Sequence, residues 1–227
     1  MNLSTRMLAV KNLVEPCNTA CDVGCDHGYV SISLVKEGVA KKVIACDINE
    51  GPLKACRENV ISQGLQDFID TRLTDGLQKV DVLDGVDVIV IAGMGARVMC
   101  HILTEGIEVV KNASQLVLQP QSELFLVRKW IRENGFKIEK EEIVVDGGKY
   151  YFVMDVRPGK SEVSDPDTQH IYDCFSEYLI ATKNPVLKEY LLRGLEKNNG
   201  YLEKISSDKR QPLLEENRLI MEALNKF

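Results

Sequence analysis

From residue 19 to about residue 155, short apolar runs alternate with stretches whose apolar residues recur every three or four positions. The short runs, residues 19–23, 42–47, 69–73, 86–92 and 115–118, predict strands. The clearest is VDVIVIAG, a continuous β-branched run of the kind buried on both faces of a parallel sheet. The periodic stretches between them, 29–37, 51–63, 96–104 and 123–134, predict helices. This alternation of strands and helices predicts βαβ units and an α/β doubly wound sheet. Two further strands follow, joined at Asp146-Gly147-Gly148, a hairpin turn signal, so the parallel sheet is expected to end in an antiparallel pair. Ahead of the first strand, Leu3, Met7, Val10 and Val14 fall on one face of an amphipathic helix.

After Arg157-Pro158-Gly159 the pattern changes. The polar stretch 160–169 reads as a hinge, and no strand is predicted beyond it. Ile171, Phe175, Tyr178 and Leu179 fit one helical face, and Asn184-Pro185 reads as a cap followed by proline at the first helical position. A helix weakened at Gly200 follows, and Pro212 starts another. Their spacing suits a short antiparallel coiled coil. The expected domains are therefore 1–159, the sheet with its helices, and 160–227, a small helical domain.

The chain has 227 residues, 44% hydrophobic and 27% charged, enough to bury a sizeable core. No run of 18 apolar residues exists, and the first residues lack a signal-peptide core, so a cytoplasmic protein with no membrane attachment is expected. Seven cysteines, an odd number without a C-x-x-C pair, predict free thiols in a reducing compartment, neither a disulfide framework nor a zinc site. The net charge of −6 argues against a protein that coats nucleic acid, but not against an enzyme with a local basic patch.

The candidate chemistry lies in DVGCDHGYVS, residues 22–31, where the first strand runs into a helix. A doubly wound fold binds its nucleotide at this position. Gly24 suits the tight turn, and Gly28 suits a helix that starts close to the strand. The middle glycine of a dinucleotide motif is missing, however, and Asp22 and Asp26 flank the turn. Like charges about 4 Å apart repel by about 4 kcal/mol near a protein surface, so a pyrophosphate is disfavoured and a cationic ligand is favoured. S-adenosylmethionine, with an ammonium, a sulfonium and no phosphate, fits. Asp47, at the end of the second strand, suits the two ribose hydroxyls of an adenosine, and Asp75, after the third, suits the adenine amino group.

Leu3-Ser4-x-Arg6, D-x-G-x-D-H-G-Y at 22–29, I-A-G-M-G at 91–95 and L-Q-P at 118–120, with the helical tail, resemble the bacterial tRNA (adenine-22, N1)-methyltransferase family across essentially the whole chain. Two positions depart from its pattern: Ala96 stands where a second glycine is usual after G-M-G, and Gln121 where asparagine often follows Q-P. The resemblance implies a Rossmann-like class I methyltransferase domain and transfer of a methyl group from S-adenosylmethionine to N1 of an adenine in tRNA. The tRNA is the partner it implies; no metal is expected from the cysteine spacing, and no obligate protein partner is inferred. Asp22, Gly24, Asp26, Gly28, Asp47, Ile48, Asp75, Gly76, Ala92, Gly93 and Met94 would line the cofactor site, with the Gly93-Met94-Gly95 turn facing the methyl donor.

Adenine N1 has a free in-plane lone pair, so catalysis can rest mainly on positioning. The base must still be taken out of its stack and held. Tyr29 is the first candidate for stacking on it. His27 either hydrogen-bonds cofactor or base or orders the loop, and Gln119 and Pro120 lie where they can contact the base. Arg6 and Arg97 are the candidate RNA contacts. Arg128, Lys129 and Arg132 read as a solvated helix face. From residue 160 on, ten Lys/Arg face twelve Asp/Glu, so the tail would grip RNA by placement. Two other functions stay open. Asp26 and the absent third spaced glycine count against an NAD-dependent Rossmann oxidoreductase. The intact set of Asp22, Asp47 and Asp75 counts against a non-catalytic RNA-binding adaptor with a methyltransferase fold.

Overall fold

The computed structural model describes residues 3–160, 163 and 165–227. The chain divides into two compact units, Met1–Ser161 and Glu162–Phe227. In the first unit seven strands form one sheet: Cys17–Val23 (β1), Ala40–Asp47 (β2), Ile69–Leu73 (β3), Val88–Met94 (β4), Gln115–Pro120 (β5), Phe136–Asp146 (β6) and Lys149–Pro158 (β7). Their order is β3-β2-β1-β4-β5-β7-β6, parallel through β5 and antiparallel at the two hairpin strands. The order reverses between β1 and β4, which leaves a crevice at the carboxyl ends of those two strands.

The period of two along each strand sorts its side chains between two cores. Cys21, Val23, Ile89, Ile91, Leu116 and Leu118 pack on one face, with helices Ala96–Glu105 (α4), Ile107–Asn112 (α5) and Leu124–Glu133 (α6). Ala20, Ala45, Val88, Val90 and Val117 pack on the other, with Thr5–Leu13 (α1), Tyr29–Lys36 (α2) and Glu50–Ser62 (α3). Burial on both faces explains the continuous apolar runs Val88–Ala92 in β4 and Leu116–Leu118 in β5. The short helix α5, tucked after Gly106, has too few residues to show a period and was not expected.

Arg128 departs from expectation. It lies inside, not on a solvated face: its Nη2 is 2.6 Å from Oε1 of Glu141 on β6, with the two side chains 3% and 0% exposed. Its neighbours Val127 and Ile131 are core residues, so the helix turns Arg128 toward the sheet, where a carboxylate of opposite charge waits. Lys129 does stay outside, beside Glu133.

The second unit is helical: Pro166–Phe175 (α7), Glu177–Ala181 (α8), Pro185–Leu202 (α9) and Gln211–Leu224 (α10). The expected hinge at 160–169 lies partly outside the described residues, and α7 takes its second half. The single face through Ile171 and Leu179 is broken. Ser176 adopts φ +74°, which ends α7, and its hydroxyl accepts the Leu179 N–H to start α8. Helix α9 begins at the Asn184 cap and runs through Gly200 without a break. It packs antiparallel to α10: Asn198 and Asn199 hydrogen-bond Asn217, and Gly194 lies against Ile220.

Candidate active site

Backbone hydrogen bonding shapes the first loop. Gly24 and Cys25 both donate their N–H to the Cys46 carbonyl at the end of β2, at 2.8 and 2.9 Å. The chain then turns through three left-handed residues, Gly24 (φ +75°), Asp26 (φ +50°) and Gly28 (φ +73°). Asp26 pays for its conformation with one anchor: its N–H donates to Oδ2 of Asp47 at 3.2 Å. Glycine is needed at 24 for a second reason, because a Cβ there would come within 2.3 Å of the Met94 methyl carbon. The tight approach at Gly28 is not to the strand, as expected, but to Cys56 on α3, whose sulfur would lie 2.4 Å from an added Cβ.

The two loop carboxylates take different environments. Asp22 is 5% exposed and its Oδ2 accepts the Ser31 hydroxyl at 2.6 Å. Burial pushes its carboxyl up to about 6; the Ser31 hydrogen bonds oppose that rise and the nearby Asp47 adds to it. Asp26 projects outward, its carboxylate 3.6 Å from Nε2 of His27. His27 in turn stacks on Tyr29, with ring centroids 5.6 Å apart and planes 16° apart. Tyr29 is half-exposed at the first position of α2 and is not packed beneath the sheet. Ser31 had no signal in the sequence; only the fold, which brings the first turn of α2 back against the end of β1, makes it a partner.

On the neighbouring strand, Asp47 is buried and rigid. Its Oδ1 accepts the Asn49 N–H at 2.8 Å and its Oδ2 accepts Asp26, which leaves further lone pairs on both oxygens. The Asp47 carbonyl holds the Thr74 N–H, so the chain leaving β3 is tied to it just before Asp75. Asp75 and Ile48 are exposed beside it, and Gly76 is buried against Ile102 of α4.

Across the crevice, β4 carries a bulge: Ala92 pairs with Gln119 and Met94 with Pro120, leaving Gly93 without an opposite residue. Gly93 has φ +80° and donates its N–H to Oε1 of Gln119 at 3.1 Å. The same oxygen accepts Nη1 of Arg6 at 2.8 Å. Gln119 was expected to face a base; instead it is fully buried and its amide is engaged within the protein. Pro120 is likewise buried. Gly95 caps α4, and the expected second-glycine position, Ala96, is fully buried as the first residue of that helix. Arg97 is exposed but joined to Glu123 by two hydrogen bonds, at 2.9 and 3.1 Å.

The edge of the sheet is therefore divided. At the ends of β1, β2 and β3 stand carboxylates, Asp22, Asp47 and Asp75. At the ends of β4 and β5 stands the Gly93 turn, covered by Arg6 reaching over from α1, whose guanidinium lies 5.4 Å from the ring centroid of Tyr151 on β7. The first half suits a cation bearing hydroxyls, the second an anionic group that can take paired N–H bonds from a planar guanidinium.

Residues 3–154 match the family model described as a methyltransferase domain. The solved structure of a putative tRNA (m1A22) methyltransferase from Streptococcus pneumoniae is 33% identical, with a TM-score of 0.91, covering 98% of this chain and all of its own. The chain belongs to the tRNA (adenine-22, N1)-methyltransferase family. Within that family, the S. pneumoniae protein in complex with S-adenosyl-L-methionine is 34% identical at a TM-score of 0.89, over 98% of this chain and 100% of that one. The tRNA (adenine(22)-N(1))-methyltransferase of Bacillus subtilis is 28% identical over 214 residues, 91% of this chain and 87% of the relative. Like these family members, the chain is a Rossmann-like α/β protein with a helical C-terminal part. No helix among the described residues is long and apolar enough to cross a membrane.

Proposed function

We propose that this methyltransferase modifies N1 of adenine 22 in tRNA, in the cytoplasm, with S-adenosylmethionine as the donor. The observation that carries this reading is the divided sheet edge, with buried carboxylates on one side of the crevice and Arg6 over a glycine turn on the other. The donor set fits the cofactor. Asp47 presents two fixed oxygens to a ribose diol, Asp22 is a buried carboxylate suited to an ammonium, and Ile48 and Asp75 flank the place for the adenine. When bound, the cofactor supplies a methyl group activated on a cationic sulfur. Gly24 and Gly93, which meet at the crevice through Met94, let backbone approach that methyl closely.

In this reading, residues 1–159 are the catalytic domain. Tyr29 stacks on the extruded base, His27 holds the Tyr29 ring by stacking beneath it, and Asp26 orients His27. No residue has to remove a proton before attack, because N1 already carries its lone pair. The protein's part is to orient base and donor in line and keep water from between them. Residues 160–227 form a helical domain of near-balanced charge that adds RNA contacts by position.

The test is methyl transfer from labelled cofactor to unmodified tRNA, followed by mapping of the modified nucleoside. N1-methyladenosine at position 22 is expected. Tyr29→Ala should keep cofactor binding and lose turnover by about tenfold or more, the usual worth of one stacked base. Methylation at another atom or another base, or no transfer, would overturn the proposal.

A further inference from the structure

Gln119 stands at the join of three segments that are far apart in sequence. Its side chain is fully buried and its amide orientation is determined. Oε1 accepts two donors, the Arg6 guanidinium and the Gly93 N–H, while Nε2 donates to the Pro120 carbonyl at 3.0 Å. Rotating the amide by half a turn would set a donor against two donors. The Arg6 guanidinium also lies over the Tyr151 ring, 5.4 Å from its centroid, and the Arg6 backbone N–H is held by Asp146 at the hairpin tip at 3.0 Å. Nη1 of Arg6 would lie 3.3 Å from a Cβ at Gly93, so the guanidinium covers the bulge. Among the described residues the guanidinium makes one hydrogen bond, to Gln119, and the remaining N–H groups of its fork stay available.

We propose that Gln119 is a positioning residue for the acceptor nucleotide. With the Tyr151 ring it fixes Arg6 against the Gly93 turn, where the guanidinium takes a phosphate of the RNA strand carrying the extruded base. Tyr151 lies on β7 beyond the last β5–β7 pair, Leu118 with Met154, so it sits on the same edge as the Gly93 turn. A guanidinium suits this place because it is planar, always charged, stacks on an aromatic face and binds phosphate through two N–H groups. Gln119 touches neither substrate. It acts through Arg6, and its bond from the Gly93 N–H sets the orientation of the amide that Arg6 meets. The inference rests on the proposed function, since it presumes an RNA acceptor.

The test is a double-mutant cycle read on tRNA methylation, with cofactor affinity measured by calorimetry alongside. Gln119→Leu should lower kcat/KM for tRNA by about tenfold to a hundredfold, the range for a lost hydrogen bond to a charged group, with the cofactor Kd unchanged. In an Arg6→Ala background the same substitution should cost little further. Tyr151→Leu, at a partly buried position, should behave alike, and Tyr151→Phe, which keeps the ring, should retain activity. Arg6→Ala should also lower the slope of log Kd for tRNA against log salt by about one. Full additivity with Arg6→Ala overturns the inference, as does an equal loss of cofactor affinity. If the wild-type enzyme methylates adenine 22 and both Gln119→Leu and Tyr151→Leu are indifferent, only the inference fails. If the wild type transfers nothing to tRNA, the proposed function fails first and the inference with it.

Discussion

Asp22→Asn should make the free protein more stable and the cofactor complex weaker, with a pH dependence that identifies the cause. Burial raises the Asp22 carboxyl from an ordinary value of 3.8 to about 6. Each pH unit of such a difference corresponds to about 1.4 kcal/mol, so holding the charge in place costs about 3 kcal/mol. The sign follows from proton counting. Between pH 4 and pH 6 the folded chain holds a proton at Asp22 that the unfolded chain has released, so stability falls as pH rises through that window and levels off above it. Asparagine has the same shape, stays neutral, and can still accept the Ser31 hydroxyl. The variant should therefore match the wild type near pH 4 and exceed it by about 3 kcal/mol at pH 7, measured by urea unfolding across that range. In thermal unfolding this is about 6 to 12 °C for a domain of this size. Cofactor affinity should move the opposite way: in the wild type it should weaken about tenfold per pH unit below pH 6, and in the variant it should be weak and flat. A stability difference that is the same at pH 4 and pH 7 would refute a charge held against its burial cost.

Two further substitutions test the frame around the site. Gly24→Ala places a methyl group at φ +75° and within 2.3 Å of the Met94 side chain; thermal unfolding should report a loss of about 1 to 3 kcal/mol, and cofactor affinity should drop with it. Arg128→Ala should cost about 3 to 5 kcal/mol because it strands Glu141 in the core, whereas the double change Arg128→Met with Glu141→Leu should recover most of that loss in urea titrations.

The strands and the loop between β1 and α2 were legible because their signals are local. A parallel strand covered on both faces is apolar at successive positions, and a left-handed turn needs glycine wherever nothing else pins the backbone. The carboxylates at the ends of β1, β2 and β3 were legible for the same reason, since topology alone puts the ends of parallel strands at one edge. What the sequence hid depends on partners far along the chain. Arg128 looked solvated because Glu141, its partner, sits on a different element. Gln119 looked free to meet a base because its three hydrogen-bond partners come from Arg6, Gly93 and Pro120, and only the folded chain shows them all satisfied. Ser176 hid its break because the apolar spacing carries on past a residue whose backbone does not.

The position of β7 has a consequence for synthesis. This strand, added last but one in space and last in sequence, lies between β5 and β6. Everything the carboxylate half of the edge needs has left the ribosome once Met94 has emerged, but Arg6 waits for Asp146 and Tyr151. At ordinary elongation rates that interval is on the order of several seconds. During it a nascent chain can already possess the nucleoside-binding half while the other half is missing, and the apolar β5 offers a bare edge. Arg6 is thus made long before the residues that fix it, and on the proposed reading the RNA-facing half of the site is complete only once the hairpin carrying Asp146 and Tyr151 has joined it.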